Sequence, residues 1–374
     1  MSSNPFITSF SDALLTHVYD LHTSDNVDPH RYPEEQQGFL RRLQSFLRSS
    51  VQQLAHKLGY VPIGNAPSAV PVLSQVICRS SGLNDLYESL GDEDSRRMLV
   101  EILTFRVLGY PRVKLPQNQP SFWAASNHID RDLVRERRTV AVGMLDGYLN
   151  KYDLRSDGFP ITLHAHHLNI QNTFSLQQYG YTKNGKSIQA EAGDVVIDGG
   201  GCWGDTALYF AHRVGPAGQV ICFEFVPENL KILRSNLELN PELGPRVKIA
   251  ENALWDRSGD TLNFHGDGPG TSVLGDQHNA MRSVQTLSID SLVEANGLQK
   301  VDFIKLDIEG AEPKALKGAE QTIRRFRPKL AVSLYHSLDD FVEIPAYLRS
   351  LGLGYEFYLD HFTIHHEETV LFAR

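Results

Sequence analysis

Two groups of residues in this 374-residue chain have the types and spacing to do chemistry. The first is Asp198-Gly199-Gly200-Gly201-Cys202-Trp203-Gly204-Asp205-Thr206. Glycines let a backbone turn tightly and approach a ligand closely, and a helix that starts at the turn offers unbonded N–H groups. Asp198 ends the apolar run Val195-Val196-Ile197, so its carboxylate stands at the entrance of the turn. Glu224 closes the next apolar run and can accept from two adjacent hydroxyls. The second group is Asp307, Glu309 and His336, which His361 in the closing hairpin can join. Carboxylates and imidazoles at the ends of neighbouring strands suit proton removal from a hydroxyl, and imidazole titrates near neutral pH. Asp307, Glu309 and His336 are also residue types that hold a divalent cation.

These residues need a frame that brings strand ends together. Short β-branched runs predict strands at 195–197, 219–224, 247–253, 301–307 and 330–335. Helical stretches alternate with them, from Thr206, from Pro227 and over 312–326, with a further helix at 344–351. A hairpin inserted at 261–264 and 283–287 encloses a glycine-rich loop, and strands at 355–359 and 369–372 end the chain. The expected class is therefore α/β: a mostly parallel sheet with helices on both faces and an antiparallel C-terminal hairpin. Residues 1–155 read as a mainly helical N-terminal domain and 156–374 as the α/β domain. Helical spacing marks 36–58 and 72–109, with a Pro- and Gly-rich linker at 60–71 between them. The segment 161–167 alternates like an edge strand, so its His164, His166 and His167 are expected to be strand-face residues rather than a zinc cluster.

Charge narrows the partners. The net charge of −9, with 36 basic against 45 acidic residues, and the lack of a basic cluster argue against nucleic acid and anionic membranes. No apolar run approaches the roughly 18 residues that span a bilayer, and no secretory signal is evident. The cysteines Cys78, Cys202 and Cys222 do not form a disulfide pattern, so a reducing cytoplasm is expected.

The spacing Gly199-x-Gly201-x-x-Gly204, with Glu224 beyond it, also satisfies the dinucleotide fingerprint, so an NAD-dependent oxidoreductase is the alternative. Asp198 opposes that reading. A carboxylate before the glycines repels a pyrophosphate, and no basic residue nearby offsets it; Lys305, on the strand that Asp307 ends, is expected in a salt bridge within the site region. It attracts the ammonium group of S-adenosylmethionine, which has no phosphate, and the acids around Asp307 tolerate a sulfonium.

Longer stretches resemble the FkbM-type methyltransferases over roughly 194–374. They are the glycine segment 196–206, Phe223-Glu-Phe-Val-Pro-Glu-Asn229, Thr286-Leu-Ser-Ile-Asp-Ser-Leu292 and Val301-Asp-Phe-Ile-Lys-Leu-Asp-Ile-Glu-Gly-Ala-Glu312. The resemblance implies a Rossmann-like class I methyltransferase sheet and S-adenosylmethionine as cofactor. The implied reaction is O-methylation of a hydroxyl on a sugar, polyketide or other small natural product. It places Asp198, Gly200 and Gly204 around the methionine end, Glu224 at the ribose, and Asn252 and Ala253 beside the adenine, with Gly199, Thr206 and Phe225 also among the cofactor-binding residues. Asp307 borders both cofactor and acceptor. His336, Asp307 and His361 are the expected proton-handling residues.

Overall fold

The computed structural model describes residues 4–20, 22, 24–32, 66–143, 147–264 and 282–374. Strands β1 Val134–Ala141, β2 Tyr148–Asp153 and β3 Thr162–Ala165 form a small antiparallel sheet. Next come β4 Val195–Gly199, β5 Gln219–Phe223 and β6 Val247–Ala250. A second small sheet holds β7 Ala253–Leu254, β8 Thr261–Phe264 and β9 Arg282–Leu287. The chain finishes with β10 Phe303–Leu306, β11 Lys329–Ser333, β12 Phe357–His361 and β13 Thr369–Ala373.

The main sheet has seven strands in the order β12-β13-β11-β10-β4-β5-β6. β13 runs antiparallel to both of its neighbours, and the other pairings are parallel. The order reverses at β4 and β10, which opens a crevice beyond their carboxyl ends. β10 is buried along its whole length, as expected for a strand covered on both faces. The helix Asp205–Val214 covers one face with Ala207, Leu208, Phe210 and Ala211.

The opposite face carries the N-terminal helices Pro5–His17, Ala66–Cys78, Ser80–Ser89 and Glu93–Leu108. Phe6, Phe10, Leu99 and Leu103 share one hydrophobic core with Ile197, Leu306 and Val332 of the sheet. Asn4 and Asp92 cap two of these helices by accepting from the N–H of Ile7 and Ser95. Gly91 donates to the Phe357 carbonyl, which joins this layer to β12.

Three expectations change in detail. The segment 36–58 lies outside the described residues, and the supposed linker at 60–71 ends in a helix that begins at Ala66. The strand expected at 247–253 splits: β6 stays in the main sheet, while β7 leaves it to pair with β9. The helix expected at 312–326 breaks into Glu312–Lys317 and Glu320–Phe326. Gly318 sits at that break, where an added Cβ would lie 2.1 Å from the Trp255 carbonyl oxygen. Among the described residues, no helix is long and apolar enough to cross a membrane.

Candidate active site

A cavity of about 370 Å³ lies at the crevice beyond β4, β5 and β10. Its floor depends on Lys305. Register pairs Lys305 on β10 with Asp198 on β4, and both side chains are buried. The Lys305 Nζ is 3.2 Å from Asp198 Oδ1 and donates to the carbonyls of Gly199 at 2.9 Å and Gly200 at 2.6 Å. Burial alone would lower the pKa of this ammonium, but the charges of Asp198 and Asp307 raise it, so it stays a cation. Asp198 Oδ2 accepts from Thr206 Oγ1 at 2.8 Å.

This corrects the expected role of Asp198. Its carboxylate is already neutralised from the adjacent strand and does not line the cavity. Gly199 and Gly204 build the turn without lining it either. A Cβ on Gly199 would meet Leu254 at 2.8 Å, and one on Gly204 would meet Leu233 at 3.1 Å. Gly200, Thr206, Glu224, Phe225, Asn252, Ala253, Asp307 and Glu309 do line the cavity. Trp203 is buried behind the loop, as its core-packing reading expects.

Glu224 closes β5 with an organised carboxylate. Oε1 accepts from the N–H of Phe225 and Val226, and Oε2 accepts from Asn229 Nδ2. Burial pushes its pKa up to about 7 against these bonds. Each oxygen retains accepting capacity toward the cavity. At the other end, Asp307 accepts from Tyr179 Oη at 2.7 Å and Tyr335 Oη at 3.0 Å. Burial opposes ionisation of Asp307, but His336, Lys305 and the two phenols outweigh it and hold its pKa low. Glu309 is pushed up to about 8, chiefly by burial.

His336 lies behind these acids and not on the cavity wall. Its Nε2 is 3.6 Å from Asp307 and 3.5 Å from Glu309, and its Nδ1 is 3.3 Å from Glu312. Burial disfavours its charge, yet the three carboxylates raise its pKa to about 10. The lone pair needed for the expected base role is thus occupied by a proton near neutral pH.

His361 departs further from expectation. It is buried within β12, hydrogen-bonded to Thr369 and Thr363, and away from the cavity. Burial lowers its pKa to about 3, and that of nearby His365 to about 4. Histidines of an unfolded chain titrate near 6.5, so both rings resist protonation only while the protein is folded. Their contribution is complete above about pH 6.5 and is lost as pH falls toward 4, by about 1.4 kcal/mol per unit for each ring. Because Glu224 and Glu309, raised to about 7 and 8, gain stability over the same range, the comparison is with His361→Gln: between pH 7 and pH 5 in urea unfolding, the wild type should lose roughly 2 kcal/mol relative to the variant. A wild-type-to-variant difference that does not change with pH would contradict the neutral, buried assignment.

Several lining residues escaped the sequence reading. Tyr179, Glu367 and Glu368 line the cavity, and no motif in the surrounding sequence marks them. Arg31 comes from the N-terminal segment, with Glu368 Oε1 at 2.9 Å and Glu367 Oε2 at 3.8 Å. Cys202, Glu309 and Glu368 line the cavity in the left-handed region, at φ of 42°, 57° and 65°. Strain of this kind in non-glycine residues concentrates at functional sites. Of the three histidines expected on a strand face only His164 lies in β3; His166 caps the short helix His167–Asn169 and His167 begins it, both buried, and the three do not form a common ligand set. His164 bonds Thr139, His166 accepts from Leu168 N–H, and His167 meets Asp130 and stacks on His30.

Counted along the main sheet alone, the strands run 3-2-1-4-5-7-6 with the seventh reversed, and the cavity lies at its switch point. That is the class I methyltransferase fold. A solved FkbM methyltransferase from Methylobacillus flagellatus shares it, with a TM-score of 0.53 over 87% of this chain and 70% of that one at 17% identity. Residues 187–357 match the model of the methyltransferase FkbM domain, and the chain is a methyltransferase that carries this domain. Methyltransferase 1 of Beauveria bassiana is 28% identical over 180 residues, 42% of this chain and 72% of that protein. The 2-O-methyltransferase NoeI of Sinorhizobium fredii is 27% identical over 162 residues, 38% of this chain and 63% of that protein.

Proposed function

We propose that the chain is an S-adenosylmethionine-dependent O-methyltransferase that acts on a hydroxyl of a sugar, polyketide or other small natural product. The observation that carries this reading is the charge of the cavity. Six acids line it (Asp205, Glu224, Asp307, Glu309, Glu367 and Glu368), with Asp307 and Glu367 held ionised and Glu224 and Glu309 raised to about 7 and 8, against two cations, Arg31 and Lys305, which are themselves paired with acids. Such a wall favours a sulfonium and an ammonium and disfavours a diphosphate, which argues against the NAD-dependent alternative. The backbone at Gly200 fits a closely held ligand, because a Cβ there would fill the approach, 2.0 Å from the Asp307 carbonyl oxygen. NoeI, a 2-O-methyltransferase by name, supports oxygen as the acceptor atom.

When bound, the cofactor supplies an electrophilic methyl group on sulfur. Glu224 would accept from the ribose hydroxyls, with Phe225, Asn252 and Ala253 along the base. The acceptor hydroxyl would sit on the side of Asp307, Glu309 and Tyr335. Asp307, the acid held ionised, would take the hydroxyl proton as the oxygen gained the methyl group and S-adenosylhomocysteine left, while Glu309, raised to about 8, would donate a hydrogen bond. Tyr179, Tyr335 and His336 hold those acids in place, and orientation supplies much of the rate. Of the expected metal set, Asp307 and His336 come together, but the acid whose oxygen lies with theirs within 4.8 Å is Glu312 and not Glu309; a divalent cation held by Asp307, Glu312 and His336 would have to displace the imidazole proton. An ion held there would make the acceptor hydroxyl more acidic.

The N-terminal domain, 1–155, completes the acceptor side through Arg31, and the three unpaired thiols support a cytoplasmic setting. Calorimetric titration with S-adenosylhomocysteine tests the cofactor. Glu224→Gln should weaken binding by about 1–3 kcal/mol, the value of a charge-assisted hydrogen bond. Binding of NAD⁺ in place of S-adenosylhomocysteine would sink the proposal. Transfer of a labelled methyl group into an alkali-stable ether, and not an ester or amine, tests the acceptor atom.

A further inference from the structure

A second cavity, of about 640 Å³, lies behind the first. Three pairs of consecutive residues divide the two. Arg31, Tyr335 and Glu367 face the first, while Tyr32, His336 and His366 face the second. The chemistry of the two spaces differs sharply. The first has six acids in its lining, whereas the second has none among the described residues. Its lining gathers aromatic rings around His365. The Tyr32 ring is 4.6 Å away, Phe105 6.3 Å and Tyr110 6.5 Å, all edge-on. His365 and His366 are held neutral by burial, so they add no charge.

Two cations line this cavity: His336, which already faces three carboxylates, and Arg106, on the helix Glu93–Leu108. Arg106 is partly buried, and an arginine drawn from water in this way normally has a carboxylate partner. Arg106 forms no salt bridge among the described residues. It donates only to the carbonyls of Tyr335 at 2.6 Å and His366 at 3.3 Å, and its Nε has no partner. Glu367 and Asp340 lie within electrostatic range but are engaged elsewhere, by Tyr32 and by the Ser337 N–H. Burial accordingly lowers the pKa of Arg106 to about 10. Its planar guanidinium suits a carboxylate, and the surrounding rings suit an aromatic body.

We propose that this second cavity is a binding site for a small aryl carboxylate, with Arg106 as its counter-ion and Tyr32, Phe105 and Tyr110 against its ring. The acids of the first cavity exclude such an anion, and the second cavity, free of acids in its described lining, admits it. Because His336 forms part of the wall and lies 3.6 Å from Asp307, occupancy would be felt at the methyl-transfer site.

The test is calorimetric titration of the full chain with benzoate and 2-naphthoate, and with the neutral benzamide as control. Saturable binding of a carboxylate, about tenfold or more tighter than the amide, is the expected result. Arg106→Gln should abolish it. Because that change also removes bonds to two carbonyls, Gln75→Glu is the second variant. Gln75 is exposed on the helix Ala66–Cys78 at the cavity rim, so an acid there repels the ligand with little effect on folding. It should weaken carboxylate binding about tenfold in low salt and leave S-adenosylhomocysteine binding unchanged. Equal affinity for carboxylate and amide, no saturable binding of either acid, or full affinity in Gln75→Glu would each overturn the proposal.

Discussion

Lys305→Met should remove roughly 3–5 kcal/mol of stability, the range for breaking a buried ion pair from one side. Asp198 is 0% and Lys305 1% exposed, so solvent cannot replace the lost charge. The substitution leaves a buried carboxylate bonded only by the Thr206 hydroxyl and the weakly donating Cys222 thiol, and it removes the ammonium from the carbonyls of Gly199 and Gly200. Urea unfolding would show the loss as a lower midpoint at constant slope. The double variant Asp198→Asn/Lys305→Met should recover part of it, because a neutral amide needs no counter-charge. The two changes are therefore strongly non-additive. A loss of under about 1 kcal/mol, the range for exposed pairs, would show that the pair does not anchor the sheet.

Gly200→Ala is the second large effect, and it falls on both fold and ligand site. Gly200 has φ of 86°, and an added Cβ would lie 2.0 Å from the Asp307 carbonyl oxygen. The left-handed conformation costs an alanine about 1–2 kcal/mol, and overpacking typically adds about 1–3 kcal/mol. The carbonyl cannot retreat cheaply, because Asp307 is tied to β4 by its N–H bond to the Gly199 carbonyl. Gly158→Ala isolates the conformational part, since Gly158 has φ of 87° and nothing within 4 Å of an added Cβ. Thermal unfolding should show Gly200→Ala falling well below Gly158→Ala, and only the former should lose S-adenosylhomocysteine binding. Similar losses in both would mean that β10 does not crowd the turn.

The features legible in the sequence are those encoded within a few residues. The run Val195-Val196-Ile197, the glycines after it and the amphipathic stretch from Thr206 specify strand, turn and helix by side-chain periodicity and backbone freedom. The same local logic places Glu224 at the end of β5 and Asp307 at the end of β10, both of which reach the cavity. It also anticipates the β8–β9 hairpin. Local pattern fails wherever a residue's role depends on what lies opposite. The sequence puts Lys305 in a salt bridge within the site region but not its partner; register sets it directly beside Asp198 and turns a supposed ligand group into part of the floor. His336 and His361 look alike as strand-end histidines. One is surrounded by three carboxylates and held as a cation, while the other is sealed between threonines and held neutral.

What the sequence determined by itself is the succession of elements, the glycine turn and the acidic character of the strand ends, because each follows from the chemistry of adjacent residues. The tertiary structure decided which charges meet and which face the cavity. Those outcomes follow from strand order, from register and from the seating of Arg31 and Arg106 against the C-terminal hairpin. Electrostatic and hydrogen-bond energies depend on distance in space and on exclusion of water, and neither is a property of position along the chain.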